Sequence, residues 1–263
     1  MYEKEQVTFP IRAFFGDLLE RPRRTKAYPI ALLNQNINLD QLLAINNAMK
    51  YPLAYIQGPP GTGKTNTILN TIVTAFFNNM TVLFASYNNV PINNVFEKLS
   101  SLTYKGKRVA FPVLRLGNQE KVKECICYIN QLRREVHGIK VFSSTLDRRK
   151  GDRIDRAKQL SGRLKEYEEV LDLTERKETL TQVMEYQERM KNVATLFHFH
   201  TDLQGRQLRN LDEKIQKIGE ISERDAMALL DRNEDEFYSY LYYTSAKSVS
   251  YTHLRAHETR RHL

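Results

Sequence analysis

Eight consecutive residues, Gly58-Pro59-Pro60-Gly61-Thr62-Gly63-Lys64-Thr65, fit the pattern G-x-x-x-x-G-K-[ST] at every fixed position. Glycines at this spacing let the backbone turn so that several N–H groups face one anion. A helix opening directly after the loop adds its positive end to the same place. Lys64 is then placed to reach the β- and γ-phosphates of a nucleoside triphosphate, and the Thr65 hydroxyl to ligate Mg²⁺. The pattern points to a nucleotide cradle of Gly58, Pro59, Pro60, Gly61, Thr62, Gly63, Lys64, Thr65 and Asn66. Lys64 and Thr65 are the expected catalytic pair, with Thr65 the metal ligand. The motif identifies the ligand class and leaves open what the energy is used for.

Seventeen residues before Gly58, Gln41 lies in Ile37-Asn-Leu-Asp-Gln-Leu-Leu-Ala-Ile-Asn46, a short helical pattern with Leu42, Ile45 and Met49 inward. A glutamine amide carries a donor and an acceptor in the arrangement that matches the N6/N7 edge of adenine. The alternative is a surface glutamine on an amphipathic helix.

From about Asn38 to Gly117 the chain resembles superfamily-1 helicases of the up-frameshift type. Gly58–Thr65 matches the family's motif I, and Gln41 falls where the family reads adenine. Val82-Leu-Phe-Ala-Ser-Tyr-Asn-Asn-Val-Pro-Ile-Asn-Asn-Val-Phe-Glu-Lys-Leu99 resembles motif Ia, closely at the strand, at Asn89 and at Glu97-Lys98-Leu99. The family commonly has Ala-Pro-Ser-Asn and then Val-Asp, where this chain has Ser86-Tyr87-Asn88-Asn89 and Ile92-Asn93. Leu114-Arg115-Leu116-Gly117 resembles the family's next segment. The resemblance implies ATP and Mg²⁺ as cofactors, and a single strand of DNA or RNA as partner. It also implies that motif Ia touches the strand's backbone through Asn89, with Ser86 and Tyr87 beside it. Short polar side chains suit such contacts, which position a strand without reading its sequence. Loop and helix capping by Asn88, Asn89, Asn93 and Asn94, and packing of Tyr87, are the alternatives.

The elements that must hold these residues follow from the hydrophobic pattern. Leu53–Gln57, Val82–Ser86 and Val109–Leu116 read as strands. Lys64–Asn78, Ile92–Ser101 and Gln119–Glu135 read as helices between and after them. Strand–helix alternation at this spacing predicts an α/β fold with a P-loop, RecA-like parallel sheet as a partial first lobe. All eight prolines lie at or before Pro112, and none follows Gly151. From there the chain is rich in Glu, Lys, Arg, Gln and Leu. Leu160, Leu164, Tyr167 and Leu171 form one seam, continued by Leu180, Val183, Met190, Ala194 and Phe197. After a polar turn around Thr201–Gly205, Leu208, Leu211, Ile215 and Ile218 form another. The pattern predicts a long α-helical hairpin insertion, coiled-coil-like. Its charged surface reads as a solvated face, the alternative being a nucleic-acid or protein partner at the hairpin tip. Val249–Thr259 resembles a translated reading frame of a sequencing adapter. The expected organisation is a lead segment 1–37, a partial ATPase lobe 38–150, the hairpin 151–247 and an adapter-derived tail 248–263.

Charge divides along the same lines. Residues 1–150 carry 21 Lys and Arg against 10 Asp and Glu, whereas residues 151–247 carry 16 against 20. The basic half suits a polyanionic partner. Arg21, Arg23, Arg24 and Lys26 read as a nucleic-acid contact or a solvated linker. Cys125 and Cys127 make neither a disulfide framework nor a four-ligand zinc site, and His198 and His200 have no further ligands near them. No apolar run approaches a membrane span, and Met1–Pro10 lacks the character of a secretory signal, so a cytoplasmic location is expected. A helicase motor also requires an acidic pair after an apolar strand. Asp231-Arg-Asn-Glu-Asp-Glu236 has no such strand before it and reads as a solvated helix face or turn. The expected function is therefore the ATP-binding part of an ATP-dependent helicase, truncated before its acidic motif and second lobe and weak or inactive as a hydrolase alone. The alternatives are an AAA+ type remodelling ATPase and a non-catalytic, nucleotide-dependent scaffold.

Overall fold

The computed structural model describes residues 8–16, 28–33, 37–117, 119–190, 201–230 and 234–261. The basic cluster Arg21–Lys26, the seam positions Ala194 and Phe197, and the histidines His198 and His200 lie outside them, as do Asp231, Arg232 and Asn233.

Helix α1 is Phe9–Phe14 and α2 is Leu39–Lys50. The start of α2 is set by a reciprocal cap. The Asn38 side chain accepts from the Gln41 N–H at 2.8 Å, and the Gln41 side chain accepts from the Asn38 N–H at 3.3 Å. Leu42, Ile45 and Met49 face inward as their spacing requires. Helix α3, Lys64–Phe77, puts Leu69, Val73 and Phe77 on one buried stripe at steps of four. Its buried polar face needs partners as well. The Thr74 hydroxyl accepts from the Ala31 N–H (3.0 Å) and donates to the Ala31 carbonyl (3.1 Å). Asn70 accepts from the Leu33 N–H at 2.9 Å, and Asn78 donates to the Pro29 carbonyl at 3.0 Å. The segment 28–33 thereby satisfies polar groups that burial alone would penalise.

Helix α4 is Asn89–Ser100, followed by a two-residue ladder of β1, Thr103–Tyr104, antiparallel to β2, Lys107–Arg108. Lys105 and Gly106 close that hairpin with φ of 48° and 71°, the left-handed pair a tight hairpin turn uses. Among the described residues this ladder is the only sheet. The three segments expected as strands of a parallel sheet form no ladder with one another. Of their backbone N–H groups only that of Val109 reaches a neighbour among the described residues, donating to the Leu102 carbonyl at 2.8 Å. Leu53, Tyr55, Ile56, Val82, Leu83, Leu114 and Leu116 stand exposed along the three segments. In the third segment the backbone closes on itself instead, the N–H groups of Phe111 and Val113 each donating two residues back at 2.8 Å. Pro112 has no N–H to offer a ladder.

Helix α5, Gln119–Val136, follows its predicted bounds within one residue. Helix α6 then runs unbroken from Ser143 to Met190, across the 150/151 boundary expected from composition. Helix α7, Thr201–Leu229, begins where a turn was expected, so Gly205 lies within a helix. Ion pairs Lys177–Asp212, Glu169–Lys214 and Arg163–Asp225 fix α6 and α7 as antiparallel, since one number rises as the other falls. The seam on α6 departs from the expected register. Leu160, Leu164, Val170 and Leu173 are buried, while Leu171 and Val183 are exposed. Helix α8, Glu234–Arg261, passes through Ser248 without a break, and Val249 packs with Leu132 and Val136 of α5. None of the described helices is long and apolar enough to cross a membrane.

Two clusters carry most of the packing. One joins α3, α4 and α8 through Leu69, Val73, Phe77, Val95, Leu99, Phe237 and Leu241, with Arg153 lying over the rings of Phe77, Phe237 and Tyr240. The other joins α2 to the base of the helix pair through Leu39, Leu42, Leu43, Ile45, Leu160, Leu164 and Ala226. Leu164 is wholly buried there. Leu164→Ala is expected to cost about 2 to 5 kcal/mol. Urea unfolding followed by circular dichroism reads this directly, and an unchanged midpoint would remove Leu164 from the junction.

Candidate functional site

The loop that enters α3 is built as its glycines demand. Gly61 has φ of 85° and Gly63 of 77°. A Cβ on Gly63 would lie 2.7 Å from Gln41 Nε2, and one on Gly58 would lie 2.7 Å from the Thr62 hydroxyl. Side chains are thus excluded where the loop folds back on itself. The Thr62 hydroxyl donates to the Pro59 carbonyl at 2.8 Å and holds that fold.

Lys64 lies across the loop, its ammonium donating to the carbonyls of Gly58 (2.5 Å) and Pro59 (2.8 Å). These are neutral acceptors that phosphate oxygens can replace with a gain in charge assistance. Gly63 stands at the N-cap of α3 and supplies no side-chain cap, which leaves the first N–H groups of the helix directed out of its end. Pro59, Pro60 and Thr65 are exposed around this opening, and Asn66 is half-buried one residue further on. Uncapped N–H groups, a lysine and a hydroxyl at one helix end fit a triphosphate with a divalent ion.

Gln41 is held more tightly than its sequence position alone indicates. Its Nε2 donates to the Thr62 carbonyl at 2.8 Å while its Oε1 serves the α2 cap. One amide therefore links the start of α2 to the phosphate loop. On the far side of Asp40 the Tyr167 hydroxyl donates to the Asp40 carboxylate at 2.7 Å, which joins α6 to the same helix.

Ser86, Tyr87 and Asn89 lie together at the entry to α4. All three are exposed, and Tyr87 is fully so, which sets aside the packed alternative for its ring. The Asn88 side chain makes no cap bond to α4. Arg115 joins this group from a loop 26 residues on. Its Nη2 donates to Asn89 Oδ1 at 2.7 Å, its Nε to Asn93 Oδ1 at 3.1 Å, and its Nη1 to the Leu116 carbonyl. The sequence marks Arg115 only as part of Leu114–Gly117. Spacing gives no signal for a contact with two asparagines on another element.

Beside Arg115 opens a cleft of about 520 Å³, lined by Asn93, Phe96, Lys121, Cys127 and Tyr128 among others. Phe96 and Tyr128 meet at 5.6 Å between ring centroids. Burial pushes the Tyr128 phenol above its ordinary value, against the opposing pull of the Arg108 guanidinium 5.2 Å from the ring. Cys125 is buried and Cys127 exposed, and neither is bonded to the other.

A family profile described as an AAA domain matches residues 36–235. DNA-binding protein SMUBP-2 of Mus musculus is 31% identical over 99 residues, 37% of this chain and 9% of that protein. The DNA replication ATP-dependent helicase/nuclease JHS1 of Arabidopsis thaliana is 31% identical over 124 residues, 42% of this chain and 9% of that protein. The DNA polymerase alpha-associated DNA helicase A of Saccharomyces cerevisiae is 27% identical over 143 residues, 53% of this chain and 19% of that protein. The chain thus spans less than a fifth of these relatives' length. No solved structure matches it.

The geometry of Gly63 is open to a direct test. Gly63→Ala imposes a left-handed φ on a residue with a Cβ, at about 1 to 2 kcal/mol, and displaces Gln41 besides. Both the unfolding midpoint and the affinity for fluorescent mant-ATP are expected to fall. Unchanged values of both would contradict the tight approach of Gln41.

Proposed function

The chain belongs to the AAA domain family, and from that premise we propose that it is the ATP- and Mg²⁺-binding part of an ATP-dependent, superfamily-1 nucleic-acid helicase. The relatives whose names are those of helicases support the resemblance to that superfamily. The observation that carries the reading is the union of Gln41, the glycine-built loop and the uncapped α3 at one place. A remodelling ATPase shares the loop, but two of the three relatives carry helicase names.

In this reading the loop N–H groups and the start of α3 hold the phosphates, and Lys64 leaves the Gly58 and Pro59 carbonyls for the β- and γ-oxygens. Thr65 supplies a hydroxyl to Mg²⁺ from the first turn of α3. The second N–H of Gln41 and the free lone pair of its Oε1 meet the adenine edge. The bound nucleotide supplies a phosphoryl group whose loss changes the charge that this end of α3 must hold. Ser86, Tyr87 and Asn89 are the proposed strand contacts, with DNA or RNA both served by a face that reads backbone. The segments Leu53–Gln57, Val82–Ser86 and Val109–Leu116 are the proposed strands of a RecA-like parallel sheet, and α6–α7 the proposed insertion, able to receive a protein partner.

Lys64→Ala is expected to weaken mant-ATP binding at least tenfold, since it removes the cation that charge-assisted bonding requires. Equal affinity of variant and wild type in the presence of Mg²⁺ would sink the nucleotide reading. Hydrolysis by this chain alone is proposed to be slow, on the order of 10³-fold or more below arginine-assisted rates. Phosphate release at the rate of an intact helicase would refute that part.

A further inference from the structure

We propose that Arg115 is a positioning residue for nucleic-acid backbone, aligning Asn89 and Asn93 and presenting its own charge to a phosphate between them. This rests on the reading above that the face around Ser86, Tyr87 and Asn89 takes a single strand.

A guanidinium only donates hydrogen bonds, so the atoms it meets on Asn89 and Asn93 must be the amide oxygens. Those bonds fix the orientation of both amides and turn their NH₂ donors away from Arg115. The two asparagines stand one helical turn apart on the exposed face of α4, so their donors share a face. The guanidinium has five N–H groups, and three are engaged by Asn93, Asn89 and the Leu116 carbonyl. All three acceptors are neutral. The positive charge therefore remains uncompensated, and Arg115 forms no ion pair among the described residues. Its neighbours behave differently. Arg108 pairs with Glu135 and Lys121 with Glu124. Glu97 and Glu124 border the cleft beside Arg115, but neither lies at ion-pair distance from its guanidinium.

Two amides with outward NH₂ groups, flanking a charge with two N–H groups to spare, match a phosphodiester and not a base edge. They offer donors and no oriented acceptor. Charge-assisted bonds to phosphate oxygens are the stronger kind, and they carry no sequence information. Tyr87, two residues before Asn89, is free to stack an adjoining base. A purely structural role, bracing the loop around Leu116 against α4, uses the same bonds but needs no charge toward solvent. The two roles separate by salt dependence.

The test uses the full 263-residue chain and fluorescein-labelled oligothymidylate, with anisotropy titrations across a series of salt concentrations. Arg115→Ala is expected to weaken binding roughly tenfold and to lower the slope of log affinity against log salt by about 0.7, one phosphate contact on a single strand. Arg115→Lys, which keeps the charge but cannot hold both asparagines, is expected to retain the slope while losing affinity. Affinity for mant-ATP should stay at the wild-type value in both, which reports that the chain is folded. If Arg115→Ala does not hold mant-ATP, Arg115→Gln gives the same slope measurement. Wild-type affinity and slope in the alanine variant overturn the inference. So does lost affinity with an unchanged slope, which marks a brace alone. If the wild-type chain itself does not bind the oligonucleotide, the strand-binding reading falls, and this inference with it.

Discussion

A side chain at position 63 would occupy the space where the Gln41 amide meets the phosphate loop, and much of the molecule is arranged around that exclusion. The left-handed turn at Gly63 allows the Thr62 carbonyl to face α2 and leaves α3 to begin without a cap. Through Gln41 the loop is tied to the start of α2. Through the apolar face of α2 it is tied in turn to Leu160 and Leu164 at the base of the long helices. The phosphate site and the α6–α7 pair therefore both lean on one twelve-residue helix.

What was legible in the residues was local. A glycine pattern, a capping pair and stripes at steps of three and four each report on neighbours in the chain, and α2, α3 and α5 stand close to where those signals put them. The ladder of a parallel sheet depends on segments far apart, and Leu53–Gln57 looks the same in sequence whether or not a neighbour pairs with it. The α6 seam illustrates a finer limit. A heptad reading places Leu171 inward, but a straight helix drifts by about 20° per heptad, and here Val170 holds the buried position instead. The turn expected at Thr201–Gly205 relied on a glycine that a helix of 29 residues absorbs.

The contacts that most shape the candidate site were the least legible. Arg115 reaches Asn89 and Asn93 across an intervening hairpin, and the segment 28–33 reaches Thr74 and Asn70 across the whole of α2 and the loop. In both cases the residue types are common and the separation is 22 residues or more. Hydrogen bonds of this kind follow from the fold and leave no period in the chain. Tyr167 and Asp40, 127 positions apart, make the same point.

The 48-residue length of α6 has a mechanical consequence. At 1.5 Å per residue the stretch from Leu164 to Met190 projects about 40 Å beyond the junction with α2. A rotation of about 5° there would carry its far end roughly 3 Å while moving the Tyr167 hydroxyl by well under 1 Å. The helix is a lever with its fulcrum beside the phosphate loop. Its gearing runs in one sense, from displacements of atomic size at the fulcrum to displacements of side-chain size at the far end.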